Sequence, residues 1–156
     1  MTPAVEALTA ANVVFETLSY GHDPQAASYG DEVIAALGLA PPSVFKTLVA
    51  DTRDGLVVAI VPVAARLDLK ALARAAGTKR AALAEPAVAE RATGYVVGGI
   101  SPFGQRRSLP TVLDRSAMDQ PTIHVSGGRR GLEIAIGPQD LVTITDATVA
   151  DVAADR

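Results

Sequence analysis

Between Val44 and Pro62 the chain is almost wholly apolar, and one short polar cluster interrupts it. The runs on either side are Val, Leu, Ala and Ile, the composition of buried strands. Thr52-Arg53-Asp54-Gly55 has turn chemistry, because Gly55 can take a positive φ that other residues resist. Ser43–Pro62 therefore predicts a β-hairpin. Upstream, Thr2-Pro3 predicts a capped helix to about Asn12, and "VVFETLSY" alternates as a strand that Gly21-His22-Asp23-Pro24 breaks. "YGDEVIAALGL" reads as an amphipathic helix with acids in its first turn and Gly38 as its stop. Pro41-Pro42 predicts a kink.

Beyond the hairpin, Asp68 caps a helix whose Leu69, Leu72, Ala73 and Ala76 follow i, i+3, i+4, i+7 spacing. "AALA" predicts a short strand and "PAVAERA" a helix ended by Thr93-Gly94. Strands follow at "TVLD", "TIHVSGG" and "LEIAI", then a helix at "PQDLVTIT" led by Pro138, and one short strand around Val149–Val152. This order predicts a mixed α/β domain of the α+β type, with several antiparallel strands rather than strict βαβ alternation. No linker or repeat divides it, so residues 1–156 are expected to form one domain.

Lys46 breaks the pattern. It stands inside an apolar run, between Phe45 and Thr47. Two readings fit the hairpin alone: an edge-strand lysine that snorkels to water, or a cation that meets an anionic or carbonyl-bearing ligand in a cleft.

Composition narrows the chemistry. Hydrophobic residues make up 49% but aromatics only 4%, so the core is aliphatic. With no cysteine there is no disulfide or thiolate metal site, a composition compatible with a reducing cytoplasm. The two histidines, His22 and His124, have no metal-ligand spacing, so neither a metal nor another cofactor is expected. No apolar run approaches the roughly 20 residues of a membrane span. The N-terminus lacks a basic segment and carries Glu6, which argues against a secretion signal. A net charge of −3 excludes a globally basic nucleic-acid binder but leaves local pairs at Lys79-Arg80, Arg106-Arg107 and Arg129-Arg130.

Two glycine turns, "GGISPFGQRR" and "SGGRRG", are read as following strands. Glycine lets backbone N–H groups approach a ligand and form anion-binding nests. Neither turn is a P-loop or a nucleophile elbow, and singly each reads as a tight turn.

In order, "GDEV", "LGL", "VFKTL", "ATGYVVGGISPFG", "LPT" and "VSGGRRGLEI" resemble the YbaK/EbsC family of aminoacyl-tRNA deacylases, from "TPAVEAL" to Leu141. The family is related to the editing domain of bacterial prolyl-tRNA synthetases. The resemblance implies a mixed, largely antiparallel, partly barrel-like sheet with surrounding helices. It assigns catalysis to Lys46 and the loop Gly98, Gly99, Ser101 and Pro102, and the amino-acid pocket to Tyr20, Tyr29, Thr47, Ser126, Gly127, Gly128 and Glu133. Relatives commonly carry Phe and Asp at the Tyr29 and Glu133 positions. Arg106, Arg107, Arg129 and Arg130 are the candidates for tRNA phosphates.

The implied substrate is cysteine mischarged on proline tRNA, or cysteine on its own tRNA, with prolyl-tRNA synthetase as the implied partner. An activated ester needs orientation and charge stabilisation more than a protein nucleophile, which suits a chain with no Ser-His-Asp set. The family's nucleophile is the substrate's own thiol; water is the alternative. Hydrolysis of alanyl or seryl esters by water, and a non-catalytic synthetase-associated binding module, are the competing readings.

Overall fold

The computed structural model describes residues 1–23 and 28–156. In chain order it contains α1 (Pro3–Ala10), β1 (Phe15–Ser19), α2 (Tyr29–Leu37), a 3₁₀ turn (Pro41–Ser43), β2 (Phe45–Thr52), β3 (Gly55–Pro62), β4 (Ala65–Leu67) and α3 (Leu69–Ala76). There follow β5 (Ala81–Leu83), α4 (Pro86–Thr93), β6 (Thr111–Asp114), a second 3₁₀ turn (Arg115–Asp119), β7 (Ile123–Arg129), β8 (Leu132–Ile136), α5 (Pro138–Thr145), β9 (Thr148–Ala150) and β10 (Ala153–Asp155).

Local chemistry sets the helix ends. The Thr2, Ser28 and Asp68 side chains accept from the N–H groups of Val5, Asp31 and Ala71, which caps α1, α2 and α3. Such caps stabilise by about 1 kcal/mol each. Gly38 and Gly77 end α2 and α3 in the left-handed region. Of the expected break Gly21–Pro24, Gly21, His22 and Asp23 carry no regular structure, and Pro24 lies outside the described residues.

The strands form three sheets ordered β1-β8-β7, β10-β4 and β5-β2-β3-β6-β9. β3–β6 and β6–β9 are parallel and the other strand pairs antiparallel, as the mixed α+β class requires. The expected mixed α/β fold is observed, and the sheets do not join into a closed barrel.

β3 is buried on both faces, which explains its unbroken apolar run. Val58 and Ile60 join Phe45, Val49 and Leu113 in one cluster, which reaches Leu8 of α1 and Ile134 of β8. Val57, Ala59 and Val61 join Ala50 and Val112 in another, covered by Leu72 of α3. Each large side chain buried this way contributes about 1.5–3 kcal/mol.

Two expectations change, and one strand is new. Gly98 follows α4 and an irregular segment, not a strand, because Gly94 at φ 81 turns the chain out of the helix. The expected strand around Val149–Val152 is two strands, β9 and β10. The Asp114 carboxylate accepts from the Val152 and Ala153 N–H groups (2.9 and 3.1 Å) and ties the segment between them to β6. β4, which pairs with β10, carries no signal in the sequence pattern.

Candidate active site

β5 pairs with β2 only at Ala50–Thr52. The edge of β2 from Phe45 to Leu48 is thus left without a paired strand, and a cleft of about 560 Å³ opens along it. Such a volume is typical of small-molecule sites. The first turn of α2 forms one border, because Gly30 packs on Val63 where a Cβ would collide with the valine side chain. Val97 and Gly98 form another border, and β7 and β8 contribute Ser126 and Glu133.

Lys46 stands opposite Val61 in the hairpin and lines this cleft. Its Nζ donates to the Ala65 carbonyl at 2.8 Å and the side chain is half-buried. Burial lowers its pKa, and the nearby Arg156 lowers it further, while Asp31 acts in the opposite direction. Lys46 is therefore a partly desolvated cation held by one carbonyl, not a lysine on an exposed edge. Beside it, the Thr47 Oγ1 is buried without a hydrogen-bond partner among the described residues, and an unsatisfied buried hydroxyl costs about 1–3 kcal/mol.

Ser126 and Glu133 face each other in register across β7 and β8. The Ser126 hydroxyl accepts from the Gly128 N–H at 3.1 Å. Glu133 is only 5% exposed, its carboxyl makes no hydrogen bond among the described residues, and burial pushes its pKa from 4.5 up to about 8. It is a largely neutral carboxylic acid at pH 7. Tyr20, which completes this side, also has a raised pKa, chiefly through burial.

Because the folded protein holds the Glu133 proton more tightly than the unfolded chain, the stability this supplies is complete below about pH 4.5 and is lost as pH rises through about 8. Glu133→Gln should remove that dependence. The melting temperature of the variant should exceed wild type by a margin that widens from pH 5 to pH 9, approaching ~5 kcal/mol in stability at most. A constant margin in pH-resolved melting curves would mean an ordinary, ionised carboxylate.

Of the residues proposed from the sequence, the cleft brings together Lys46, Gly98, Tyr20, Tyr29, Thr47, Ser126 and Glu133. Gly99, Ser101, Pro102, Gly127 and Gly128 lie behind it. The Gly99 N–H donates to the Val96 carbonyl (2.8 Å), and the Ser101 hydroxyl is fully buried and accepts from the Phe103 N–H. A Cβ at Gly99 would press on the backbone of Arg129, so Gly99 seats its loop on the β7–β8 turn.

Gly98 and Gly127 thereby separate into two kinds of glycine. Gly98 has φ +93, and a Cβ there would strike the Tyr29 ring; a Cβ at Gly127 would strike the buried Leu132. Gly98→Val should abolish activity in a folded protein, whereas Gly127→Val should act through stability, lowering the melting temperature by several degrees. Melting curves run beside turnover assays distinguish them, and an unchanged melting temperature for Gly127→Val contradicts the packing argument.

Arg106 and Arg107 are exposed, with backbone N–H groups bonded to the Thr93 and Ala92 carbonyls. Arg129 is also exposed, but Arg130 is half-buried, and its guanidinium lies 3.4 Å from the Tyr29 ring centroid. Two features had no sequence signal. Arg156 reaches the cleft from beyond β10 and donates to the Val63 carbonyl at 3.1 Å, and Arg53 converges with Lys79 and Arg80 on a separate hollow. No group of three His, Asp or Glu side chains among the described residues could hold a metal ion.

Residues 23–144 match the family model described as the aminoacyl-tRNA editing domain. The chain belongs to that family. It is therefore an aminoacyl-tRNA deacylase, as the resemblance implied. An Enterococcus faecalis protein named as a candidate Cys-tRNA(Pro)/Cys-tRNA(Cys) deacylase, EbsC, is 37% identical over 123 residues, covering 78% of this chain and 75% of that protein. A solved structure described as a hypothetical protein is 27% identical with a TM-score of 0.88, covering 98% of this chain and all of the other. A candidate trans-editing enzyme for prolyl-tRNA synthetase shares the fold, with a TM-score of 0.83 at 24% identity and 99% of each chain covered. No described helix of this editing domain is long and apolar enough to cross a membrane.

Proposed function

We propose that residues 1–156 act as one unit that clears cysteine from proline tRNA in the cytoplasm, alongside prolyl-tRNA synthetase. The observation that carries this reading is a half-buried ammonium, Lys46, in one cleft with a buried carboxylic acid, Glu133. Lys46 supplies positive charge for the terminal phosphate or for the oxyanion that develops on the ester. Gly98, whose N–H bonds to nothing among the described residues, supplies a backbone donor beside it. Donors fixed in advance at a developing oxyanion stabilise the transition state more than water does.

The wall across from Lys46 suits the amino acid. The Glu133 carboxyl can meet the α-amino group, whose positive charge would draw Glu133 back to its ionised form. Tyr20, Tyr29, Val33 and Val44 leave a largely apolar space for a small side chain. The deciding experiment charges proline tRNA with cysteine, alanine or serine and follows release. Rapid loss of cysteine supports the reading; binding without release of any amino acid would mark a carrier module.

A further inference from the structure

Behind the Tyr29 side of the cleft runs a continuous chain of polar side chains. Glu32 of α2 has a side chain only 6% exposed, and its carboxylate accepts from the Asp23 N–H at 2.6 Å and from His22 Nδ1 at 3.0 and 3.1 Å. The other ring nitrogen, Nε2, lies 2.9 Å from Nη1 of Arg130. A carboxylate accepts and a guanidinium can only donate, so His22 carries its proton on Nδ1 and accepts at Nε2. The far end of the chain is the Arg130 guanidinium, stacked on the Tyr29 ring.

These commitments leave Arg130 poorly placed to serve a phosphate. One donor is engaged by His22, and Nε is buried with no hydrogen-bond partner among the described residues. A phosphate-binding arginine turns its donors outward to solvent, whereas this one gives up a hydrogen bond to keep its planar face on an aromatic ring. Tyr29 is the first residue of α2 and 38% exposed, and the Arg130 guanidinium is stacked on its ring. That ring occupies the space left by the missing Cβ of Gly98, and both residues line the cleft.

We infer that Glu32, His22 and Arg130 form a positioning relay that holds Tyr29 as a fixed wall of the amino-acid pocket, and that this relay sets the largest side chain the cleft admits. Arg130 is thus a specificity-determining residue acting through Tyr29, not a contact to tRNA. The activity arm of the test rests on the deacylase reading above; a second arm does not.

The test uses the full chain and the variants Arg130→Met, His22→Ala and His22→Gln. Glutamine offers both a donor for Glu32 and an acceptor for Arg130, so it should preserve the relay where alanine cannot. One proline tRNA is charged with cysteine or with penicillamine, which keeps the thiol and adds two methyl groups. A methylene-sized difference is worth roughly 10–200-fold in such pockets. Wild type should favour cysteine, and the kcat/KM ratio should fall by about 10-fold or more in Arg130→Met and His22→Ala but not in His22→Gln. The salt dependence of tRNA binding should be unchanged in Arg130→Met. An intact ratio together with a log–log salt slope reduced by about one would make Arg130 a phosphate contact and overturn the inference. Independently of turnover, the Tyr29 ring resonances, among only three tyrosines, should move from restrained to averaged in the two disrupting variants. Unchanged resonances sink the relay, while a wild type that releases no amino acid sinks only the deacylase reading.

Discussion

Lys46→Ala should lose about two orders of magnitude or more in deacylation, while its melting temperature stays within a few degrees of wild type. The two effects differ in size for a physical reason. In the ground state Lys46 makes one hydrogen bond, to the Ala65 carbonyl, and such a bond nets about 1 kcal/mol. Part of even that is offset, because burial and Arg156 already disfavour the charged form. During ester cleavage the same ammonium meets a full developing charge in a half-buried cleft, and losing one such group typically costs about 10²–10³ in rate. Lys46→Arg should not restore activity, since a longer planar fork cannot keep the Ala65 contact and place a compact charge at the same point. If the ammonium is the working form, activity should decline with rising pH earlier than an ordinary lysine would dictate, because the pKa is lowered. Near-wild-type kcat/KM for the alanine variant would make Lys46 structural and remove the centre of the proposed site.

Elements governed by local chemistry were legible in the chain. Thr2-Pro3, Gly38 and Asp68 fix helix ends through a single side chain or a single φ, and the observed helices follow them. The hairpin was equally plain, since Gly55 at φ 122 supports the expected turn. Features that depend on where distant segments meet were not. β4 is three residues long and exists because β10 pairs with it. The cleft itself is a consequence of length: β5 stops after three residues, a fact that the run "AALA" does not express. The same limit divided the candidate residues. Family resemblance selected the glycine loop as a unit, but only Gly98 of its catalytic candidates reaches the cleft, because Gly99 and Ser101 are turned into the protein's own packing. Arg130 looked like a loop cation in the sequence; its ties to His22 and Tyr29 span more than a hundred residues.

Proline tRNA carrying cysteine should be cleared at least about 100-fold faster than the same tRNA carrying alanine, and S-methylation of the cysteine should block release. The motive lies in what lines the cleft: a lysine, hydroxyls and a carboxyl, with no cysteine in the chain and no histidine among the lining residues. A thiol on the substrate supplies a nucleophile already next to its target, and intramolecular attack gains heavily from proximity. The sulfur would bond to its own ester carbon as the bond to the ribose oxygen breaks, giving a cyclic thiolactone and free tRNA. The thiol proton ends on the ribose oxygen. Glu133, once the α-amino group has drawn it to its ionised form, is suited to take up that proton and pass it on. Lys46 would favour the thiolate before attack and the oxyanion after it. Discrimination then depends on chemistry as well as on space, which matters because pocket size alone separates similar side chains by only about 1–3 kcal/mol per methylene. Alanine fits the same pocket and should survive because it has nothing to attack with. Mass spectrometry of rapidly quenched reactions should detect the thiolactone before it hydrolyses to cysteine. Cleavage of the S-methylated substrate at the normal rate would identify water as the nucleophile and leave the cleft to select its substrate by size.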